Sequence, residues 1–285
     1  MKKRILIIGG DSRQLYMADY LETKGYEILT YALPEKNREC VTDLKNAIKS
    51  SNVILFPLPM SKDNKHIYGI APETTEAEKV FHYINQEHTV FGGMISKTNE
   101  SKLKKKTSKV YDYFISEEVT VRNTLPTVQG IIKTIIDNVD YTISGSNIAV
   151  FGYGRTGKLT AETLKSLGAK VTVCARKQID VTSADIREMR GCLIDDFINF
   201  ASETNIIINT IPSVIIDRKI LEKLNKNCII IDVASAPYGT DFAVASELGI
   251  NAIQCPSLPG KVAPKTAGEI IADEVIRRLK EDDYE

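Results

Sequence analysis

The stretch Asn147-Ile148-Ala149-Val150-Phe151-Gly152-Tyr153-Gly154-Arg155-Thr156-Gly157 decides the reading of the fold. Asn147–Phe151 is a short apolar run of strand type, and the residues from Arg155 to Leu167 repeat at helical period, with Gly168 placed to cap them. Between them Gly152, Gly154 and Gly157 form a G-x-G-x-x-G. Gly152 permits the tight turn, Gly154 lets the backbone approach a pyrophosphate, and Gly157 lets helix and strand pack closely. The helix start, with Arg155 and Thr156, offers unpaired N–H groups and a positive dipole end to an anion. A plain βα turn without a ligand is the alternative, and the strand-turn-helix context disfavours it.

The next strand, Lys170–Ala175, would end in Asp or Glu if it read the ribose of NAD. It runs instead into Arg176-Lys177, at the distance of about 20 residues that the fingerprint requires. A cation there pairs with the 2′-phosphate of NADP, and Arg offers it a two-pronged fork. NADP is therefore expected ahead of NAD, with a solvated strand-end Arg as the plainer reading. Later strand ends, Asn209-Thr210-Ile211-Pro212 and Asp232-Val233-Ala234-Ser235, fall on the ligand-binding side of such a sheet. Of these, Asn209, Thr210, Pro212, Asp232, Ala234 and Ser235 join the glycines, Arg155, Thr156, Arg176 and Lys177 as the expected cofactor-binding set. Ordinary polar loops would give the same residues.

Outward from this unit the same alternation of aliphatic runs and helical segments extends in both directions. At 285 residues the chain is long enough for two domains. A strand at Arg4–Ile8, a helix near 14–24, and strands at 26–31, 52–58 and 89–92 place a first α/β lobe over 1–122. A long helix is expected within a 123–145 linker, then an NADP-binding Rossmann domain over 146–265. A last helix, about 266–285, has the first lobe as a candidate surface to pack on. The expected class is α/β, two Rossmann-like parallel-sheet lobes joined by a long helix with a cleft between them.

Composition narrows the chemistry. Lys plus Arg and Asp plus Glu are 37 each, so no global field grips nucleic acid or an anionic membrane. The apolar run after Lys2-Lys3-Arg4 stops at Gly9-Gly10, too short for a signal peptide, and no stretch reaches membrane-spanning length. Cys40, Cys174, Cys192, Cys228 and Cys255 contain no CxxC pair, which suggests neither a disulfide framework nor a metal site. A cytoplasmic protein is expected. His82 and His88 read as structural, and His66, after Pro57-Leu58-Pro59, is the one histidine to consider as a proton carrier. The Lys102–Lys106 run reads as a solvated helix face, and Cys255 lacks a neighbouring base signature for nucleophilic work.

Five motifs together carry a resemblance along the whole chain: Gly9-Gly10-Asp11-Ser12-Arg13-Gln14, Leu125-Pro126-Thr127-Val128-Gln129-Gly130, Gly152–Gly157, Asn209–Pro212, and Leu258-Pro259-Gly260-Lys261-Val262-Ala263-Pro264-Lys265-Thr266-Ala267-Gly268. The sequence resembles the dipicolinate synthase A-subunit family of spore-forming bacteria. The dinucleotide turn is common to many dehydrogenases, whereas the Pro-Gly-Lys-Val-Ala-Pro-Lys-Thr-Ala-Gly run is distinctive. Gln129 stands where Glu is expected, so no charged role passes to it. The resemblance implies NADP-dependent oxidation of a dihydro- or hydroxy-tetrahydrodipicolinate to pyridine-2,6-dicarboxylate during sporulation, in the mother-cell cytoplasm. It also implies a partner, the dipicolinate synthase B-subunit. A dicarboxylate needs cations and helix-end donors. Ser12 and Arg13, Thr124 and Thr127, and Lys261, Lys265 and Thr266 are the expected substrate-binding residues, from the two lobes. Each has a surface or capping role as the plainer reading. No catalytic residue is assigned, and the sequence leaves a homo-oligomer open.

Two other functions compete. A 2-hydroxyacid or amino-acid dehydrogenase would need an acid–base His downstream of the dinucleotide turn, and all three histidines precede Gly152. A non-catalytic NADP-binding protein is the second.

Overall fold

The computed structural model describes residues 3–33, 40–69 and 75–282; the end of the last expected helix, 283–285, lies outside them. The chain divides into two compact units, one of residues 1–123 with 263–285 and the other of 124–262.

The first unit contains β1 (Arg4–Ile8), α1 (Ser12–Thr23), β2 (Glu27–Tyr31), α2 (Leu44–Lys49), β3 (Val53–Leu55), a small antiparallel hairpin of β4 (His66–Ile67) and β5 (Thr75–Glu76), α3 (Ala77–Tyr83), β6 (Thr89–Gly92), α4 (Lys97–Lys104), β7 (Val110–Asp112) and α5 (Glu117–Arg122). Its parallel sheet runs in the order β2-β1-β3-β6-β7. The four isoleucine and leucine residues of β1, Ile5 to Ile8, are fully buried because helices cover both faces. Ile5 and Ile7 pack with Leu15 and Leu21 of α1, while Leu6 and Ile8 pack with Ile48, Val80 and Phe81. The strand order reverses between β1 and β3, which is where open α/β sheets bind ligands.

The second unit begins with α6 (Thr124–Asn138) and continues through β8 (Asn147–Phe151), α7 (Arg155–Ser166), β9 (Lys170–Ala175), α8 (Gln178–Ile186), β10 (Arg190–Leu193), β11 (Ile206–Asn209), α9 (Arg218–Leu221), β12 (Ile229–Asp232), α10 (Phe242–Glu247), β13 (Asn251–Gln254) and α11 (Leu258–Val262). The parallel sheet order is β10-β9-β8-β11-β12-β13, the dinucleotide-binding arrangement. Residues 124–145 of the segment 123–145, expected as a linker helix, belong to this unit, and the helix itself packs into its core. The helix stops at Asn138, and Ile131 and Ile135 are fully buried with Ile148, Val150 and Leu258. Gly130 explains the close approach of α6 to α11, since a Cβ there would lie 2.8 Å from the Leu258 Cβ.

The chain then returns to the first unit as α12 (Pro264–Asp282). It lies along α1: Gly268 sits against the Arg13 carbonyl and the Met17 amide, and the Tyr20 hydroxyl donates to Asp273 at 2.8 Å. The order of these contacts makes the helices parallel, so their N-terminal turns are neighbours. A side chain at position 268 would collide with backbone. The glycine that ends the distinctive Lys-Thr-Ala-Gly run therefore has a packing reason of its own.

Candidate functional site

In the second unit, β8 turns into α7 through the three glycines, and each is glycine for a different reason. Gly152 has φ +96°, and a Cβ would strike the Thr210 hydroxyl and Ile211. Gly157 is closed off by the Gly152 carbonyl. Gly154 has φ −79°, accessible to any residue, and a Cβ there would meet nothing within 4 Å. Nothing in the protein therefore demands glycine at 154. Gly154 is also the N-cap of α7 and supplies no side-chain cap, so the cap residue itself leaves this helix end open. An open glycine at an unplugged helix N-terminus fits a pyrophosphate. Beside it, the buried Tyr153 hydroxyl has no hydrogen-bond partner among the described residues, and Lys158 Nζ lies 5.2 Å from the ring centre.

The remaining expected cofactor residues fall into two groups. Arg155, Arg176, Lys177, Pro212 and Ser235 are exposed or half-buried at the carboxyl end of the sheet, as are Thr156 and Thr210. Asn209 and Asp232 are instead fully buried and bonded inward. Asp232 accepts from Asn209 Nδ2 at 2.9 Å, the Ala234 amide at 3.1 Å, the Gly239 amide at 2.9 Å and the Thr240 hydroxyl at 2.8 Å. Asn209 Nδ2 also donates to the Ile211 carbonyl, and its Oδ1 accepts from the Ile211 amide. The Thr210 hydroxyl donates to the Phe151 carbonyl at 2.8 Å. Direct ligand contact by the Asn209 and Asp232 side chains is thus replaced by a structural task, holding the loops after β11 and β12. Ala234 is buried beside them.

In the first unit, β1 turns through Gly9 and Gly10, both at positive φ, into α1. Here the helix end is plugged. Asp11 is the N-cap, accepting from the Arg13 amide at 3.0 Å, while Gln14 Oε1 accepts from the Asp11 amide at 2.8 Å. Arg13 is 5% exposed; its Nε and Nη2 donate to the two Asp11 oxygens at 2.9 and 2.8 Å, and Nη2 also donates to the Leu58 carbonyl after β3. Burial alone would lower the Arg13 pKa, but hydrogen bonding and the charge of Asp11 carry it above its usual value. Nearby, Tyr113 is buried with its hydroxyl donating to the Phe56 carbonyl, and burial holds its pKa far above the ordinary phenol range. The fork expected to face a dicarboxylate is therefore closed on Asp11, leaving Nη1 without a partner among the described residues.

Of the other expected substrate residues, Ser12 is half-buried in α1, and Lys265 and Thr266 are exposed in the first turn of α12. The parallel packing through Gly268 brings these two turns together within the first unit. Thr124, buried, and Thr127, half-buried, open α6, and Lys261 is exposed on α11; all three belong to the second unit. Gln129 is exposed. The sequence motifs assign Asp11 no role, although the Asp-x-x-Gln spacing is the signal of a capping box.

His66 Nδ1 lies 2.7 Å from Asp63 Oδ2, both partly exposed, and that hydrogen bond, with the Lys65 and His66 amides, drives the Asp63 carboxyl below its usual range. His88 is buried between the Asn85 amide and the Ile48 carbonyl, a structural place. Lys102 pairs with Glu78 and Lys104 with Glu100 on the helix surface. Cys255 is buried and its thiol is pushed up by that burial. No cluster of metal-ligating side chains occurs among the described residues, and none of their helices is long and apolar enough to cross a membrane.

Sheet order, glycine turn and unplugged helix end together define an α/β protein with a dehydrogenase-like dinucleotide-binding domain. Residues 123–264 match the family model of the S-adenosyl-L-homocysteine hydrolase NAD-binding domain, and residues 4–114 that of the dipicolinate synthase A-subunit N-terminal domain. The chain is 32% identical to the dipicolinate synthase A-subunit of Bacillus subtilis (strain 168), over 98% of this chain and 96% of that protein. The crystal structure of the A-subunit from Bacillus halodurans superposes with a TM-score of 0.85 at 30% identity, covering 97% of both chains. That from Bacillus subtilis gives 0.84 at 30%, covering 99% of this chain and 97% of the other. The chain belongs to the dipicolinate synthase A-subunit family.

Proposed function

We propose that the chain binds NADP and oxidises a dihydro- or hydroxy-tetrahydrodipicolinate to dipicolinate during sporulation, working with a dipicolinate synthase B-subunit in the mother-cell cytoplasm. The observation that carries the cofactor reading is the open space at Gly154 on an uncapped α7, which the protein's own packing does not require. Arg176 and Lys177, exposed at the end of β9, favour NADP over NAD because a 2′-phosphate needs a cation. Bound NADP would supply a hydride acceptor. Gly152, Gly154, Gly157 and the first turn of α7 would hold its pyrophosphate. Asn209 and Asp232 would keep the loops after β11 and β12 in shape beside it.

A hydroxy-tetrahydro ring first loses water to give the dihydro ring; loss of a hydride to the nicotinamide and of a proton to solvent then leaves an aromatic pyridine, so the task of this chain is to bind and orient the dicarboxylate. For the carboxylates, the first unit offers Arg13 Nη1 with Ser12 and the adjoining Lys265-Thr266, and the second offers Thr124, Thr127 and Lys261. The test is a titration of NADP and NAD into the chain, followed by an assay of NADPH and dipicolinate formation with and without the B-subunit. Binding of NADP with turnover supports the reading. NADP binding without turnover in either arrangement reduces the chain to a nucleotide-binding protein, and absence of dinucleotide binding removes the reading altogether.

A further inference from the structure

Cys174 and Cys192 are direct register partners on the parallel strands β9 and β10, and their sulfur atoms lie 3.5 Å apart on one face of the sheet. Both are free thiols, packed with Phe151 and Phe197. Cys174 is fully buried, Cys192 is 7% exposed at the sheet-edge strand, and two residues beyond Cys174 stands Arg176. We infer that Cys174 and Cys192 form a reversible thiol-oxidation site whose disulfide state weakens NADP binding at the end of β9. The coupling half of this inference rests on the reading of Arg176 as the 2′-phosphate partner; the bond-forming half does not.

The chemistry balances with a peroxide as oxidant. The Cys192 thiolate attacks one oxygen of hydrogen peroxide, the O–O bond breaks, and hydroxide leaves and is protonated to water, giving a sulfenic acid. Cys174 then loses its proton and attacks the Cys192 sulfur; the S–O bond breaks and a second water leaves. Two thiols are oxidised by two electrons and one peroxide is reduced to two waters. The order of attack follows from the site. Cys192 lies on the edge strand and is the more exposed of the two, and its contact with the Cys174 thiol lowers its pKa, while burial holds the Cys174 thiol up.

Geometry supplies the link to the ligand. Neighbouring strands lie about 4.8 Å apart, inside the range of about 4.4 to 6.8 Å that a disulfide allows between its Cα atoms. Closing the bond must bring the two sulfur atoms from 3.5 Å to about 2.05 Å, which moves the end of β9, where Ala175 and Arg176 follow Cys174 directly.

The experiment treats the reduced full-length chain with hydrogen peroxide, maps its disulfides by peptide mass spectrometry, and measures NADP affinity before oxidation, after it, and after dithiothreitol. The expected result is a Cys174–Cys192 cross-link, an NADP affinity at least about tenfold weaker, as for one lost charge-assisted hydrogen bond, and recovery on reduction. Cys192→Ser should retain its NADP affinity under the same peroxide. If the cross-link does not form, or oxidation stops at a sulfenic acid on Cys192, the inference is overturned. A cross-link that leaves NADP affinity unchanged overturns the coupling. Failure of the reduced chain to bind NADP would instead count against the proposed function, since the cross-link is read independently of the cofactor.

Discussion

At the carboxyl end of β1 the chain turns through Gly9 and Gly10 into α1, and at the carboxyl end of β8 it turns through Gly152 and Gly154 into α7. Both turns pass from a buried parallel strand into a helix N-terminus pointing to the ligand side of a sheet. They differ in what stands at the helix end. In α1 the Asp11 carboxylate caps the first turn and is itself clamped by Arg13. In α7 the cap is glycine, with no side chain and open space around it. A helix end filled by the protein's own carboxylate has no room for an outside anion; one left open can receive it. This contrast is why the proposed dinucleotide falls to the second unit, while the first has a rigid, internally neutralised turn with one guanidinium nitrogen to spare.

The sharpest way to break that contrast is to remove the clamp. Arg13→Ala should lower stability by about 3 kcal/mol, because it strands a carboxylate partly buried at the helix end and frees the Leu58 carbonyl. Denaturant titration checks this, and an unchanged midpoint would mean the clamp is not structural. NADP affinity of the folded fraction should stay at the wild-type value. In turnover with the B-subunit, Arg13→Lys should already raise KM if Nη1 reaches a substrate carboxylate, since an ammonium cannot hold Asp11 with a fork and reach outward as well.

Gly154→Val should do the reverse, costing about 3 kcal/mol of dinucleotide affinity through overpacking against the ligand while the thermal midpoint of the free protein stays close to wild type. Gly157→Ala serves as its control: its Cβ would collide with the Gly152 carbonyl, so it should destabilise the protein itself. Calorimetric titration of a folded Gly154→Val protein with unaltered NADP affinity would reduce the turn to a structural one. Arg176→Ala is the next in size. It should weaken NADP by roughly 1.5 to 3 kcal/mol and NAD hardly at all, and equal losses for both would remove the phosphate role.

The smallest expected effect lies on the surface of the second unit. Arg218 hydrogen-bonds Glu247 and holds its carboxyl below the ordinary range. A lowered folded-state pKa contributes stability above the unfolded value and loses it as pH falls through the carboxylate range. Glu247→Gln should therefore narrow slightly the stability difference between neutral and acidic pH, measured by denaturant midpoints. Screening by solvent keeps this term small.

Much of this architecture is legible in the sequence. Buried parallel strands read as unbroken apolar runs such as Ile5–Ile8 and Ile206–Ile208, because helices cover both sheet faces. The glycine turn is legible because its spacing is local. Elements without such a signature are not: α8 is a mixed Gln-Ile-Asp-Val-Thr-Ser segment, β10 an edge strand containing Gly191, and the β4–β5 hairpin has two residues a side. The long helix at 124–138 is visible, but not its membership of a core, since that depends on Leu258 packing against Gly130 from far along the chain.

The alternation of strands and helices, the glycine turn between β8 and α7 and the cations that follow β9 are all written in the amino-acid order, because each is set by neighbours within a few residues. Which glycine is open to a ligand and which is required by packing was settled by the folded chain alone. Gly152, Gly154 and Gly157 are identical letters, and what separates them is the space around an absent Cβ, fixed by Thr210, Ile211 and the turn's own carbonyl. Folding likewise turned Asn209 and Asp232 inward and closed Arg13 on Asp11. A side chain's hydrogen-bonding capacity is written in its type, but whether that capacity is free depends on backbone brought to it from elsewhere, as the Leu58 carbonyl is brought to Arg13.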